Sequence, residues 1–451
     1  MTDLDVRHRP PGRGRRHRRR SAGVSGAVRA TAGRLSWGLA DQAVSSLTNF
    51  AVGAVVARSL GATGFGVFTL AWVTYGVALN VSRGVTTDPL MVRFSGVSAE
   101  SWRAAVSRSS GTAILVGIMT GALSLLAGLA IGGSVGAGLV ALGLVLPGVL
   151  LQDSWRFAFF AAGHGRKALV NDTIWAAALI PALVFAAEHR SVFAFVLAWG
   201  LSGAVAAACG CAQARLLPWM GGIRAWLRHQ RDLGLRYMVE NITNSGAWQL
   251  RMYGLGAIAG LADVGALRGA ELLLAPFLAV LMGVGLVGVP EAARVLRRSP
   301  RRLPQFCLLL GGGQATAALA WGSALLFLLP DGIGRLVLGS IWESAADLIL
   351  PVTLSVAGVG FTAGAVVGLR GLGAARRSLR ARLFTSAMFL TGGIAGATVA
   401  GAFGTSWGSA VAMWLGAAVW WFQLRAGVRE VATSSTESSS TEVNHDETRI
   451  S

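Results

Sequence analysis

The chain has 451 residues, of which 53% are hydrophobic and 14% are charged, and its formal net charge is +19. Apolar stretches of roughly 20 residues, the length of a helix that crosses a bilayer, recur along the whole chain. This composition argues against a soluble globular protein and indicates an all-α polytopic membrane protein.

The first 34 residues are too polar to pack into a core. They include RGRRHRRR, from Arg13 to Arg20, and we predict that residues 1–34 form a disordered, Arg-rich cytoplasmic arm attracted to anionic lipid headgroups. The apolar segment that follows is longer than the hydrophobic region of a signal peptide, so we expect no cleavage. At the other end, we predict that the polar residues 426–451 form a disordered tail.

Between these ends, the apolar pattern predicts about twelve transmembrane helices. The first six lie near residues 35–57, 65–82, 110–132, 135–152, 168–186 and 191–212. The second six lie near residues 237–259, 267–290, 305–329, 347–369, 383–404 and 405–425. We therefore predict an N-terminal six-helix lobe over residues 35–212, a basic cytoplasmic linker over 213–236 and a C-terminal six-helix lobe over 237–425.

Polar residues form a stripe on the first of these helices. On a helix of 100° per residue, Asp41, Ser45 and Thr48 fall within about 60° of one another. Because an ionised group in hydrocarbon is costly, such a stripe normally faces the interior of a bundle or a wet cavity. The alternative is that these groups only hydrogen-bond neighbouring helices and hold the bundle together.

Arginines are concentrated in alternate connections between the predicted helices. The basic set includes Arg93, Arg103 and Arg108 after the second helix, and later connections in this set include Arg156, Arg370 and Arg382. The opposite connections contain only Arg58, Arg190, Arg268 and Arg335. The positive-inside rule then places the basic connections and both termini in the cytoplasm, and we expect a multi-pass protein of the bacterial plasma (inner) membrane.

Neither the connections nor the motifs indicate an enzyme. No connection is long enough to fold into a separate domain outside the membrane, where polymerases and lipid-dependent glycosyltransferases usually place their acidic catalytic residues. No phosphate-binding loop of the Walker type occurs. The cysteines have no histidine beside them, so we predict no metal site. The only cofactor that we expect is a coupling H⁺ or Na⁺.

The second half of the chain repeats the first with a shift of 199 residues. This shift places Glu240 on Asp41, and it places AGLADVG, residues 259–265, on LGATGFG, residues 60–66, with both glycines matched. In the repeated helix, Glu240, Asn244 and Arg251 fall within about 40° of one another. Six helices per half make the halves parallel, and transporters of this kind bind substrate where the repeats meet. We therefore predict a central, hydrated cleft between two parallel six-helix bundles.

Three segments resemble a known family. SWGLADQAVSSLTNFAVGAVVARSLGATGFGVFTLAW, from Ser36 to Trp72, resembles the opening of polysaccharide-biosynthesis membrane proteins, the Wzx-like flippases. These belong to the multidrug/oligosaccharidyl-lipid/polysaccharide (MOP) exporter superfamily. LQDSWRFAFFAAGHGRKALVNDTIW, residues 151–175, is similar to the loop between the fourth and fifth helices in that group. GLADVGALRGAELLLAP, residues 260–276, is similar to its seventh-to-eighth helix region.

This resemblance implies two bundles that rock around a cavity and flip an undecaprenyl-linked oligosaccharide or polysaccharide precursor across the membrane, without covalent chemistry. The sequence has no cluster of several cavity arginines like that of the lipid II flippases. An exopolysaccharide or surface-glycan unit is therefore a better expected cargo than a peptidoglycan precursor.

Such a cargo carries a diphosphate, for which the planar guanidinium of Arg supplies well-oriented donors. The candidate substrate-binding residues are Arg251, Arg83, Arg58, Arg268, Asn244 and Asn241. The candidate ion-coupling residues are Asp41 and Glu240, because a carboxylate in a partly dry cavity can bind and release a proton as water enters.

Each candidate also has a plainer explanation. Arg58 and Arg83 can extend to the membrane interfaces, where long basic side chains reach water. Arg268 and Glu271 are three residues apart on one helix and can neutralise each other. Each candidate carboxylate can instead form a permanent ion pair with an arginine.

Two other functions remain open at this stage. A cation-coupled multidrug exporter would bind amphiphilic cations and would more often keep its cavity free of arginine. A non-transporting membrane scaffold would recruit glycan enzymes through the basic arm. The expected partners are a lipid-linked saccharide, anionic membrane lipids and glycan polymerases or export enzymes, with no nucleic acid because the basic residues lie in the arm and in short loops.

Overall fold

In the computed structural model, the backbone is described for residues 14–299 and 302–450, and the side chains for these residues except 14–35, 244, 279–287, 290 and 431–450. The described backbone is helical apart from short turns. In chain order the helices are α1 (Gly14–Val85), α2 (Thr87–Phe94), α3 (Ala99–Ile131), α4 (Gly133–Ala161), α5 (Gly165–His189), α6 (Val192–Ala214), α7 (Ile223–Ile258), α8 (Leu261–Arg298), α9 (Leu303–Phe327), α10 (Asp331–Leu338), α11 (Trp342–Ala346), α12 (Ile349–Gly371) and α13 (Ala375–Ile450).

Two of these helices are bent hairpins that each supply two spans. Helix α1 leaves helical geometry at Gly61, and α13 does so at Ala400 and Gly401. The two limbs of α13 run antiparallel, because Gly396 and Gly404 lie directly against each other's backbone. Both limbs of α1 contact the same turn of α4, so they also run antiparallel.

With each hairpin counted as two spans, the described chain crosses from one end of the molecule to the other twelve times. The crossings are the two limbs of α1, the helices from α3 to α9, α12 and the two limbs of α13. Seven described helices are long and apolar enough to span a membrane by themselves, or eight if α9 and the bent segment after it count as one span. The predicted fold class, an all-α polytopic membrane protein with about twelve spans, is confirmed.

One difference from the predicted boundaries lies in α4. We predicted that this span ends at residue 152, but the helix continues to Ala161. It continues because the polar residues that follow, Asp153 among them, are buried against other helices instead of entering a loop. Helix α7 likewise begins at Ile223, inside the predicted linker.

The predicted arm and tail fall mostly outside the described side chains. The described backbone begins at Gly14 in α1 and ends at Ile450 in α13. The division of the chain at residues 34, 212, 236 and 425 stays a prediction.

Successive turns lie at opposite ends of the molecule. We call the end that holds the connections around residues 95–98, 162–164, 215–222 and 372–374 the basic end, because the arginine clusters lie there. We call the other end, with the turns at Gly61, Gly132, Gly260 and Gly401, the glycine end. Helices α10 and α11 also lie at the glycine end, where the chain bends by 103° after α9.

The repeat detected in the sequence has a structural counterpart at the glycine end. Gly61 and Gly260, which the 199-residue shift matches, both have a left-handed φ, of 66° and 100°, with ψ of −174° and 175°. Residues other than glycine rarely adopt this backbone geometry. The same break therefore separates the first two spans of each half.

Five residues beyond each break, the two halves meet backbone to backbone. A Cβ atom on Gly66 would lie 1.8 Å from the carbonyl oxygen of Leu261, and one on Gly265 would lie 2.0 Å from that of Ala62. Because the same shift also matches Ala62 with Leu261, the contact is reciprocal. The two lobes therefore close directly against each other at the glycine end.

The second limb of α1 and helix α7 join the lobes along most of the membrane depth. Thr74 and Tyr253 share a hydrogen bond of 2.7 Å between their hydroxyls. Nearer the basic end, Asn80 donates to the hydroxyl of Ser245 at 2.5 Å. Backbone packing is also close there, since a Cβ atom on Gly84 would meet α7 at 2.4 Å.

Replacement of Gly66 or Gly265 by Ala should destabilise the closed glycine end. The new methyl group would overlap a carbonyl oxygen, and overpacking of this kind costs about 1–3 kcal/mol. We expect that loss in the free energy of unfolding, measured by thermal or denaturant unfolding in lipid nanodiscs. Gly312→Ala is the control, because Gly312 is helical with nothing within 4 Å of a Cβ atom. Equal stability of all three variants would contradict the prediction.

Candidate functional site

The predicted site residues occupy separate regions of the molecule. Asp41 and Arg83 belong to one ion cluster in the first lobe, whereas Arg251 and Arg268 line a cavity in the second lobe. The remaining candidates lie elsewhere: Arg58 at the glycine end, and Glu240 and Asn241 on α7 towards the basic end. The side chain of Asn244 lies outside the described ones.

The ion cluster of the first lobe consists of Asp41, Arg83, Asp153, Arg156 and Asp172. Arg156 donates to one oxygen of Asp41 from Nε at 2.8 Å and from Nη2 at 2.5 Å. The same guanidinium lies 3.3 Å from Asp172. Arg83 makes two hydrogen bonds to Asp153, of 3.0 and 2.7 Å. Four helical segments are thus joined by charge: both limbs of α1, α4 and α5.

Amides support this cluster on the side away from α1. Gln152 donates to Asp172 at 2.8 Å and to Asn171 at 3.2 Å. Asn171 in turn donates to the carbonyl oxygen of Ala206 at 2.7 Å. Since Asp172 and both amide residues are buried, the carboxylate is held in one orientation by bonds that water does not compete for.

The charges of the cluster do not balance. It contains three carboxyl groups and two guanidinium groups, which gives a net charge of −1 if all are ionised. Asp41 is fully buried, and its Oδ1 has no hydrogen-bond partner within the described part of the chain. An unpaired buried oxygen next to an excess of negative charge is where a proton or a small cation would be stabilised.

The cavity of the second lobe has a volume of about 220 Å³, and we call it the deep chamber. Arg251 reaches it from α7, where the residue lies within the predicted span 237–259. Its guanidinium donates to Glu271 at 2.6 Å and to Ser409 at 2.9 Å, and it lies 4.7 Å from the ring centre of Phe389. The side chain is only 4% exposed.

Glu271 pairs with a second arginine besides Arg251. Its other oxygen lies 3.3 Å from Arg268, whose guanidinium is also 5.8 Å from the ring centre of Trp248. The predicted pairing of Arg268 with Glu271 on one helix is therefore present. With Arg251 included, two guanidinium groups share one carboxylate, so these three residues carry a net charge of +1.

Two larger cavities follow the deep chamber towards the basic end, and each shares lining residues with the cavity before it. The apolar chamber, of about 580 Å³, shares Trp248, Val359 and Phe389 with it. The mouth, of about 550 Å³, shares Arg370 and Arg382 with the apolar chamber. All three cavities are lined by helices of the second lobe, chiefly α7, α12 and α13.

The other candidates have structural roles or open surroundings. Asn241 donates to Asp88 at 2.7 Å and so helps to join the lobes. Glu240 is exposed at the mouth. Arg58 is exposed at the glycine end, where its backbone packs against Gly339.

Asp41 and Arg251 do not line one shared cavity in the described structure. The sequence predicted a cleft bordered by both polar stripes, but each charged group is paired inside its own lobe. The cavity found between the lobes, which Arg268 reaches from α8 and Trp72 from α1, has a volume of only about 20 Å³. The reason is that α4 and α8 supply counter-charges that the periodicity of a single helix does not reveal.

Sequence reasoning missed Arg156 and Asp172 as site residues, and it also missed Arg370 and Arg382. The charge pattern assigned Arg156, Arg370 and Arg382 to cytoplasmic connections. A usable signal was the spacing in LLQDSWRF, where Gln152 and Arg156 are four residues apart and therefore share a helix face.

Several solved structures of membrane transporters have a similar fold. An inward-facing multidrug resistance MATE family transporter of the MOP superfamily gives a TM-score of 0.65 at 16% identity, over 86% of this chain and 96% of that chain. The lipid II flippase MurJ in an inward closed conformation gives 0.66 at 10% identity, over 87% and 89%. An outward-facing MATE family transporter gives 0.54 at 16% identity, over 90% and 96%.

No protein-family model and no curated protein sequence matches the chain. The helical fold, the apolar spans and the charged residues buried within them are those of a multi-pass membrane protein, and its fold is similar to that of these solved transporters.

Loss of the Arg156 guanidinium should destabilise the first lobe strongly. Arg156→Met leaves Asp41 and Asp172 buried without their cation, and removal of one member of a buried ion pair costs about 3–5 kcal/mol. We expect that loss in unfolding free energy, with partial recovery in the double variant Asp41→Asn/Arg156→Met.

Arg294→Met is the control for this measurement. It removes an ion pair with Glu291 in which the two side chains are 62% and 40% exposed, and surface pairs of this kind contribute less than about 1 kcal/mol. Equal losses for Arg156→Met and Arg294→Met would show that the cluster does not stabilise the lobe.

Proposed function

We propose that this protein flips an undecaprenyl-linked oligosaccharide or polysaccharide precursor across the bacterial plasma membrane by alternating access. The observation that carries the proposal is the deep chamber, a cavity within the spans that is lined by two arginines and one carboxylate. The fold supports membrane transport, since the solved structures that share it are transporters.

The charge of the deep chamber favours an anionic cargo. Arg251 is held by Glu271 and Ser409, although its buried Nε has no hydrogen-bond partner among the described residues. Arg268 has a longer contact of 3.3 Å with Glu271 and a quarter of its side chain is exposed, so it can take a second anion. A diphosphate would meet a net positive site, whereas the amphiphilic cations typical of a multidrug exporter would be repelled.

The other groups around the deep chamber suit a sugar. Trp248, on whose ring the Arg268 guanidinium also lies, lines the chamber together with the hydroxyl-bearing residues Ser355, Ser406 and Ser409. Rings and hydroxyls in this arrangement can replace the hydration that a saccharide loses on entering the membrane.

The first lobe would couple transport to an ion. In the ion cluster, protonation of Asp41 would remove the excess negative charge and weaken its bond to Arg156, which links α1 to α4. That bond could therefore respond to the proton gradient and change the packing of the first limb of α1. Sodium is the other candidate ion. Glu240 is less suited to coupling because it is exposed.

The proposed orientation puts the basic end in the cytoplasm, as the positive-inside rule predicts. The mouth of the second-lobe cavities would then open towards the compartment in which lipid-linked precursors are assembled. Contact between the lobes at the glycine end agrees with this direction, because it corresponds to an inward-facing transporter, and the TM-score is higher with the inward-facing MATE structure than with the outward-facing one.

Arg268→Gln should slow transport without unfolding the protein, since Arg251 still neutralises Glu271. We expect flipping of an undecaprenyl-diphosphate-linked saccharide in proteoliposomes to fall by about 10- to 100-fold, corresponding to a lost charged hydrogen bond of about 1.5–3 kcal/mol. Arg335→Gln, which removes an exposed arginine at the glycine end, is the control.

Unchanged flipping in the Arg268→Gln variant would contradict the proposed cargo site. Absence of flipping by the wild type, together with proton-driven efflux of cationic drugs from the same vesicles, would replace the flippase by the multidrug exporter.

Asp41→Asn should uncouple transport from the proton gradient. The amide cannot take up a proton in the relevant range, so an imposed pH gradient should no longer accelerate flipping, while flipping down a concentration gradient of cargo continues. Asp232→Asn is the control, because Asp232 is an exposed carboxylate paired with Arg93 at the basic end. An intact pH response in the Asp41→Asn variant would exclude this residue as the coupling site. A response that follows a sodium gradient in the wild type would identify sodium as the ion.

A further inference from the structure

The mouth of the second-lobe cavities contains a second group of arginines. Arg236, Arg370 and Arg382 line it together with one carboxylate, that of Glu240. If all four are ionised, these residues carry a net charge of +2. The mouth is distinct from the deep chamber: at about 1.5 Å per residue, the 15 positions from Arg236 to Arg251 on α7 span about 22 Å.

Two of these arginines lie at the boundary between the mouth and the apolar chamber. Arg370 and Arg382 line both the mouth and the apolar chamber. Arg370 is the last basic residue of α12, and Arg382 lies on the first limb of α13, so the two approach the cavity from different helices. An anion at this position would lie between them.

Beyond the two arginines the surface is mostly hydrocarbon. The apolar chamber is lined by Val359, Val366, Phe389 and Trp420 among others, with a volume of about 580 Å³. Ligand pockets commonly measure about 300–1,000 Å³. A small hydrated anion would gain nothing from this wall, whereas burial of an alkyl or prenyl chain there gives about 25 cal/mol per Å².

We propose that the mouth binds the phosphate group of a lipid phosphate and that the apolar chamber holds part of its hydrocarbon chain. This inference deepens the proposed function and rests on it for the identity of the lipid as the carrier of the cargo. The carrier would be captured at the basic end by Arg370 and Arg382, before its phosphate reaches Arg268 deeper in the same lobe. The ligand class is a phosphate monoester or diphosphate of a long-chain alcohol.

The experiment measures lipid binding to the full-length protein, not transport. Purified protein in detergent is mixed with undecaprenyl phosphate, dodecyl phosphate or inorganic phosphate, and the bound fraction is read by native mass spectrometry. We expect wild type to bind undecaprenyl phosphate more tightly than dodecyl phosphate, and to bind inorganic phosphate at least 100-fold more weakly than undecaprenyl phosphate.

Arg370→Gln and the double variant Arg370→Gln/Arg382→Gln should each weaken undecaprenyl phosphate binding, the double variant by at least 10-fold. Arg376→Gln/Arg380→Gln is the matched control. Both of its residues are exposed on α13 near the same end but outside the mouth, and the variant removes the same charge. A thermal unfolding curve checks that each variant is folded, and Arg370→Gln, an exposed position, keeps the test decisive if the double variant unfolds.

The chain-binding part of the proposal has its own variant. Ala363→Phe places a ring in the apolar chamber. It should lower the affinity for undecaprenyl phosphate by at least 5-fold and reduce or abolish its advantage over dodecyl phosphate. An unchanged advantage would overturn this part of the proposal.

Three results would overturn the phosphate site: equal losses in the mouth variants and the control, tight binding of inorganic phosphate, or equal binding of an uncharged polyprenol. These binding results can be distinguished from the flipping results that test the proposed function. Binding that depends on the mouth without flipping by the wild type would refute the flippase and leave the lipid-phosphate site in place. Normal flipping by the wild type, together with lipid binding that the mouth variants leave unchanged, would refute the lipid-phosphate site and leave the flippase in place.

Discussion

Charged groups inside a membrane span have to find their partners within the protein, and this constraint shapes both lobes. Each lobe meets it with guanidinium groups held by carboxylates from other helices. In the first lobe, three carboxyl groups surround two arginines; in the second lobe, two arginines share one carboxylate. Since hydrocarbon offers no hydrogen bonds, these clusters determine which helix faces turn inward.

The buried ion clusters lie within the lobes. Charged groups also join the described parts of the two lobes at the basic end, where Arg93 pairs with Asp232 and Asn241 donates to Asp88, but the contacts deeper in the spans are neutral. The hydroxyl pair of Thr74 and Tyr253, the bond from Asn80 to Ser245 and the crossing of Gly66 with Gly265 involve no ion pair. Neutral contacts cost less to break than buried ion pairs. The lobes are therefore the rigid units, and the surface between them is where movement is easiest.

Much of the fold could be predicted from the sequence, because a glycine indicates a break in its own backbone and a charged residue indicates which face of its own helix turns away from lipid. The matched glycines at 61 and 260 predicted the two equivalent breaks, since their backbone geometry needs no information from elsewhere in the chain. The polar stripe on the first limb of α1 correctly predicted that Asp41 faces protein. Its partner Arg156 could not be predicted from that stripe, because the two residues are 115 positions apart and Arg156 resembled a loop residue at the end of a span. Arg370 and Arg382 were missed for the same reason. An arginine near the end of an apolar segment looks the same in the sequence whether its side chain reaches water or a cavity.

The crossing at the glycine end joins main chain to main chain, and this has a thermodynamic consequence. Glycine has no rotamers to lose, so bringing Gly66 and Gly265 together carries almost no side-chain entropy penalty. On assembly this seam therefore loses mainly backbone entropy, which is larger for glycine than for any other residue. It also has a very short range, because contacts between bare backbones vanish after a separation of an ångström or two, and such a seam is either shut or fully parted.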